Sequence, residues 1–199
     1  MSDLLEPKPA LQEYLQGARD ALLWKLDGLG ERELRRPRTP TGTNLLGIVK
    51  HCANTEIGYF GPTFGRAWPA PDHPAYVAED AYDADPQADW WVDAETSAEE
   101  VAAFYREVWA FADETIAALP LEARGEVPWW GEGGTVTLQR VLVHVIADLT
   151  RHAGHADILR EQADGATGLL VANSNLPDGL DWPAYVARLE AVATRFPPG

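Results

Sequence analysis

Positive charge is scarce in this chain. Lys and Arg number 16 against 31 Asp and Glu, a formal net charge of −15 over 199 residues. Nucleic acid and anionic membrane surfaces select proteins with a basic footprint, so neither is expected as a partner. Cysteine is scarcer still. Cys52 stands alone, which excludes an internal disulfide and any Cys-x-x-Cys motif and fits a reducing compartment. No run of about 18 or more apolar residues occurs, and the first residues lack the apolar core of a secretory signal. A cytoplasmic protein is therefore expected. There is no His-Glu-x-x-His motif, no internal repeat and no low-complexity tract. Lysine is nearly absent, with arginine outnumbering it 13 to 3, and alanine is abundant, a pattern associated with GC-rich coding genomes.

A hydrophobic content of 46%, with 24% charged residues and 8 tryptophans, is that of a globular chain with ample surface to bury. Its length fits one domain over residues 1–199. Leu11, Tyr14, Leu15, Ala18, Leu22 and Leu26 recur at helical spacing within 10–28, after a tail marked by Pro7 and Pro9 and before Gly28 and Gly30. A second helix over about 43–60 takes Thr43 or Asn44 as its cap. Its main face carries Leu45, Ile48, Val49 and Cys52, and His51 lies off the middle of that face. Solvent exposure and a second buried face both fit that position. Ser97-Ala-Glu-Glu100 is a capping box opening a third helix to about Leu119, and Thr137 caps a fourth over 138–162, within which Gly154 is a candidate for close packing. Asp181-Trp-Pro183 opens a shorter terminal helix over 182–195. Residues 127–137 form a turn-rich loop that can close as a short hairpin. Residues 61–95 make a long connection, of the kind that often serves as a lid or binding loop, with Trp68, Trp90 and Trp91 as anchors. The expected architecture is all-α: four antiparallel helices in a bundle, an extra short C-terminal helix and long connecting loops.

The fourth helix holds the chemistry. His144, Asp148, His152 and His155 fall within twelve residues, on a strip roughly 80° from the centre of the apolar stripe. One ion cannot take all four, because two helical turns separate His144 from His152, about 12 Å of rise. Asp148 and His152, four apart, stack on one face. A further ligand must come from elsewhere, and His51 is the candidate, since His73 lies in a proline-rich loop. Such a His/Asp/His set with open positions suits catalytic zinc, or iron, nickel or manganese. A core-edge histidine bonded to a nearby carboxylate would give the same spacing without a metal.

Two segments together carry a family likeness. Thr41-Gly-Thr-Asn-Leu-Leu-Gly-Ile-Val-Lys-His51-Cys-Ala-Asn-Thr-Glu56 and Asp148-Leu-Thr-Arg-His152-Ala-Gly-His155-Ala-Asp-Ile-Leu-Arg-Glu161 resemble the DinB superfamily of metal-binding four-helix bundles. The likeness covers about 10–165 and is nearest to an actinobacterial branch largely of unknown function, related to mycothiol-dependent enzymes. It implies a zinc or nickel ion on His51, Asp148 and His152. Asp148 stands where many relatives have histidine and the mycothiol-dependent maleylpyruvate isomerases have glutamate, so its reach is shorter. His155 aligns where many relatives carry glutamine, which makes it a supporting or cleft-wall residue, and His144 reads as wall or packing. Glu56 could support a ligand from behind, face solvent or form a salt bridge. Trp129 and Trp130 could wall the site or pack the bundle end, and Arg151 and Arg160 could hold an anion or pair with Asp157 or Glu161. Cys52, on an apolar face with no basic neighbour, reads as inert packing.

The resemblance implies a metal-dependent transferase using a low-molecular-weight thiol such as mycothiol as co-substrate with a second small molecule, and allows a homodimer. A metal-dependent hydrolase and a non-catalytic metal- or small-molecule-binding protein are the alternatives. In the catalytic readings the cleft is expected to be bordered by His155 and by the tryptophans of the 61–95 connection.

Overall fold

Each long helix begins where a side chain or a proline settles the free backbone N–H groups. The computed structural model describes residues 6–170 and 172–197. In it α1 spans Pro7–Trp24, with Pro7 and Pro9 inside the helix's start rather than in a tail, since proline at the first turn forfeits no hydrogen bond. After α2 (Glu31–Arg35), Asn44 opens α3 (Leu45–Phe60), its side chain accepting from Gly47 N at 2.7 Å. The connection beyond it contains a 3-10 turn at Pro62–Phe64 and the short α4 (Ala81–Ala84). Ser97 and Glu100 form the expected capping box of α5 (Ala98–Ala118). A small antiparallel hairpin follows, β1 (Arg124–Glu126) with β2 (Thr135–Thr137), holding the turn Pro128–Gly133 between its strands. Thr137 caps α6 (Leu138–Asp164), and Asp181 caps α7 (Trp182–Ala193).

α1, α3, α5 and α6 form the bundle, with α1 beside α6, α6 beside α3, and α3 beside α5. Leu15, Leu22, Leu46, Ile48, Phe104, Val108, Leu142, Val145 and Leu149 fill its interior. Each such side chain contributes about 1.5–3 kcal/mol when fully buried. No helix among the described residues is long and apolar enough to cross a membrane.

Not every neighbouring pair is antiparallel, and the difference makes the site. α3 and α6 do run oppositely: His51 meets His152, while Tyr59 meets His144. α3 and α5, however, run the same way, with Glu56 bonded to Tyr105 and the Phe60 carbonyl to Thr115. Parallel neighbours need the chain to travel back the length of the bundle between them. The connection does so along α5, with Arg66 bonded to Glu114 and Phe111 O, Trp68 against Phe111 and Phe104, and His73 stacked on Phe104. Those contacts order a stretch whose composition alone suggests a loose loop.

At the centre, Arg19 of α1 pairs with Glu56 of α3 at 2.6 Å and with Asp113 of α5 at 2.9 Å. Tyr105 donates to the other Glu56 oxygen. Glu56 therefore ties three helices together and does not back the metal ligands: both its oxygens are occupied in the core. Gly154 meets nothing that a Cβ would disturb, so it permits no close packing; of the glycines within the bundle helices, Gly47 and Gly58 of α3 do. α7 buries none of its residues, leaving Val186 and Leu189 exposed.

Candidate metal centre and cleft

Antiparallel α3 and α6 bring His51, Asp148 and His152 together, with one potential ligand atom from each lying within 4.8 Å of the others. These are the three side chains the family likeness selects, and their spacing is one that a cation could close by small rotations. His152 Nε2 and Asp148 Oδ1 are 3.6 Å apart. Asp148 Oδ2 and His152 Nδ1 are buried and have no hydrogen-bond partner among the described residues. Orphaned buried polar atoms are costly and call for an explanation, and a bound cation supplies one for this donor set of two imidazoles and a carboxylate. Burial, partly opposed by Asp148, lowers the His152 pKa to about 4, so the ring is neutral, as a metal ligand must be.

His51 is the only one of the three already held. Its Nδ1–H donates to Asp89 Oδ2 at 2.7 Å, and Trp90 stacks on its ring at 4.0 Å between centroids and 19° between planes. That arrangement leaves Nε2, whose recorded neighbour is the Thr55 hydroxyl at 3.5 Å, as the nitrogen free for a cation. The residues around it resolve the question of the second face of α3. Asn44 donates to Trp90 O, Lys50 donates to Ala88 O and Trp91 O, and Asn54 binds Ala75 O and Val77 N. A Cβ on Gly47 would stand 2.0 Å from Trp90 O. Spaced three and four apart, these residues form a strip that grips the main chain of the connection, and His51 lies along it.

Two of the three, His51 and Asp148, line a cleft of about 530 Å³, while His152 is buried behind them. The cleft walls come from Ile57 and Tyr59 of α3, Tyr76 and Tyr82 of the connection, and Trp129 of the hairpin turn. The expected borders differ from these. Trp68 is buried in the core and Trp90 stacks on His51, so neither covers the cleft; the connection contributes tyrosines instead. His155 is exposed and touches the edge of the His152 ring outside the cleft. His144 does line it, bonded through Nε2 to the Tyr59 hydroxyl at 2.9 Å. Trp130 donates to the same hydroxyl, which leaves the Tyr59 proton for His144. Gly58 is what lets Trp129 lie on α3, since a Cβ there would come within 2.9 Å of its ring.

The remaining candidates are structural. Cys52 is fully buried, and desolvation pushes its thiol well above the usual range. Arg160 binds Asp164 and the Trp24 and Lys25 carbonyls at the end of α1, and Asp157 pairs with Lys25. Arg151 is exposed. Asp89 and Lys50 were not singled out by sequence, because their partners lie tens of residues away, and no local periodicity marks them or Tyr82.

A family model described as mycothiol-S-transferase matches residues 10–165. A conserved protein from Enterococcus faecalis, known from its crystal structure, is similar in fold. Its TM-score is 0.63 at 16% identity, over 82% of this chain and 100% of that one. None of the curated proteins compared matches the chain.

Proposed function

Since the chain belongs to the mycothiol-S-transferase family, we propose that it is a metal-dependent transferase joining the thiol of mycothiol to a small electrophile. The observation carrying this reading is the convergence of His51, Asp148 and His152 beside an aromatic cleft that His51 and Asp148 line. Zinc or nickel suits two imidazoles and one carboxylate. When bound, a divalent cation supplies positive charge that favours thiolate over thiol. Three protein ligands leave coordination positions free, as a transferase requires.

The chain's own residues do the rest. His51, Asp148 and His152 would hold the ion and thereby set where the sulfur can sit. Tyr76, Tyr82 and Trp129 give the electrophile an apolar surface and exclude water from the sulfur. Burial raises the Tyr59 pKa, so beside Asp148 this wall keeps a neutral hydroxyl, its proton directed to His144, rather than adding another anion. In the reaction the thiol gives up its proton to solvent, an S–C bond forms as the bond from that carbon to the leaving group breaks, and the leaving group departs with its electron pair.

The test is conjugation of mycothiol to an activated alkyl halide by zinc- or nickel-loaded protein. Thioether and halide should appear together, cease on chelation and be lost in Asp148→Ala. Ester or amide hydrolysis at full rate without thiol would overturn this reading in favour of a hydrolase.

A further inference from the structure

We propose that Asp89 is a positioning residue for the metal centre, presenting His51 to the ion, and that the docked connection is what keeps it there. This rests on the metal reading above. Asp89 is only 5% exposed, and its carboxylate is committed to His51 Nδ1 at 2.7 Å. A carboxylate behind a histidine fixes its tautomer, orients the ring and makes the opposite nitrogen more basic. Trp90, the next residue, fixes the same ring from its face.

Asp89 is itself held from α3. Lys50, 7% exposed, donates to the carbonyls of Ala88 and Trp91 at 2.8 and 2.9 Å, bracketing Asp89 and Trp90 on both sides. Asn44 takes the Trp90 carbonyl. Burying an ammonium is expensive, and its companions here are main-chain oxygens of the segment that carries Asp89. The same connection supplies Tyr76 and Tyr82 to the cleft, so one length of chain both walls the substrate space and aims a ligand. Among the described residues neither Asp148 nor His152 has a hydrogen bond from a neighbouring element comparable to that of Asp89 on His51; their one polar contact is with each other at 3.6 Å. His51 is the preset ligand, and the other two complete the site.

Zinc affinity, measured by competition with a chromophoric chelator, tests this on the full chain, together with the visible spectrum of the Co(II)-loaded protein. Asp89→Ala should weaken zinc about 10–100-fold and alter the cobalt bands, the scale expected on losing a partner behind a metal ligand. Asp89→Asn keeps an acceptor oxygen but not the charge, and should weaken zinc too, by less than Asp89→Ala does. Lys50→Met touches no ligand and should also weaken zinc, by releasing the segment. Affinities within twofold of wild type for both Asp89 variants, with unchanged cobalt spectra, would overturn the role of Asp89. If Asp89→Ala does not fold, Asp89→Asn decides alone by the same criterion. Failure of the wild type to bind zinc or cobalt would overturn the metal reading, and the role of Asp89 with it.

Discussion

At the scale of single residues, the ligand set and the core ion pair make opposite demands. His152→Ala should abolish stoichiometric metal binding, while His144→Ala, which removes only the partner of Tyr59, should leave stoichiometry intact; metal analysis of the purified variants decides. Equal loss in both would place the ion elsewhere on α6. Glu56→Ala leaves the buried Arg19 guanidinium with Asp113 as its one carboxylate, beside the Gln16 side-chain oxygen. Removing one partner of a buried pair typically costs about 3–5 kcal/mol, here toward the lower end because Asp113 remains, and urea unfolding reads it. The spacing of Asp148 and His152 made that pair legible in the sequence. Arg19 was legible in principle, being a charge four residues from Leu15 inside an apolar stripe. Asp89 was not, since its partner lies 38 residues away.

Among elements, the boundaries read most reliably were those with chemical caps. Asn44, Ser97, Thr137 and Asp181 all accept from the expected first-turn N–H groups. α2 and α4 are too short for a helical period to show. Ser97→Ala should lower stability by about 1 kcal/mol near neutral pH, the usual worth of such a cap. Glu100 has its carboxyl held below the ordinary range by the Ser97 hydroxyl and backbone N–H. A depressed carboxyl stabilises the fold above its unfolded pKa and ceases to do so as pH falls through its folded one. The difference between wild type and Ser97→Ala should therefore shrink on acidification through the carboxylate range, as a series of urea melts would record. Gly47→Ala forces the connection off α3; overpacking of this kind costs about 1–3 kcal/mol, and zinc affinity should fall alongside stability.

For the whole molecule, composition and period sufficed for the helical class and the four bundle helices, but not for the direction of α5. Direction is set by where the connection lies, and its docking depends on contacts such as Trp68 on Phe104 and Phe111, which leave no periodic trace. At the other end of the chain, α7 buries none of its residues and lies beyond the family match. Deleting residues 172–199 should leave the urea midpoint and slope close to those of the full chain, because slope follows surface exposed on unfolding. A marked drop in both would show α7 to be part of the cooperative unit.

The indole of Trp90, stacked 4.0 Å from the ring of His51, gives the protein an optical gauge of its own centre. An open-shell ion such as Ni(II) or Co(II) bound to that imidazole should quench the emission of Trp90 at close range. Zinc, with a filled d shell, should leave its brightness largely unchanged. Subtracting the titration of Trp90→Phe from that of the wild type isolates this one fluorophore among 8 tryptophans. Loading, exchange and release of the ion can then be followed in real time, with no added dye and no turnover.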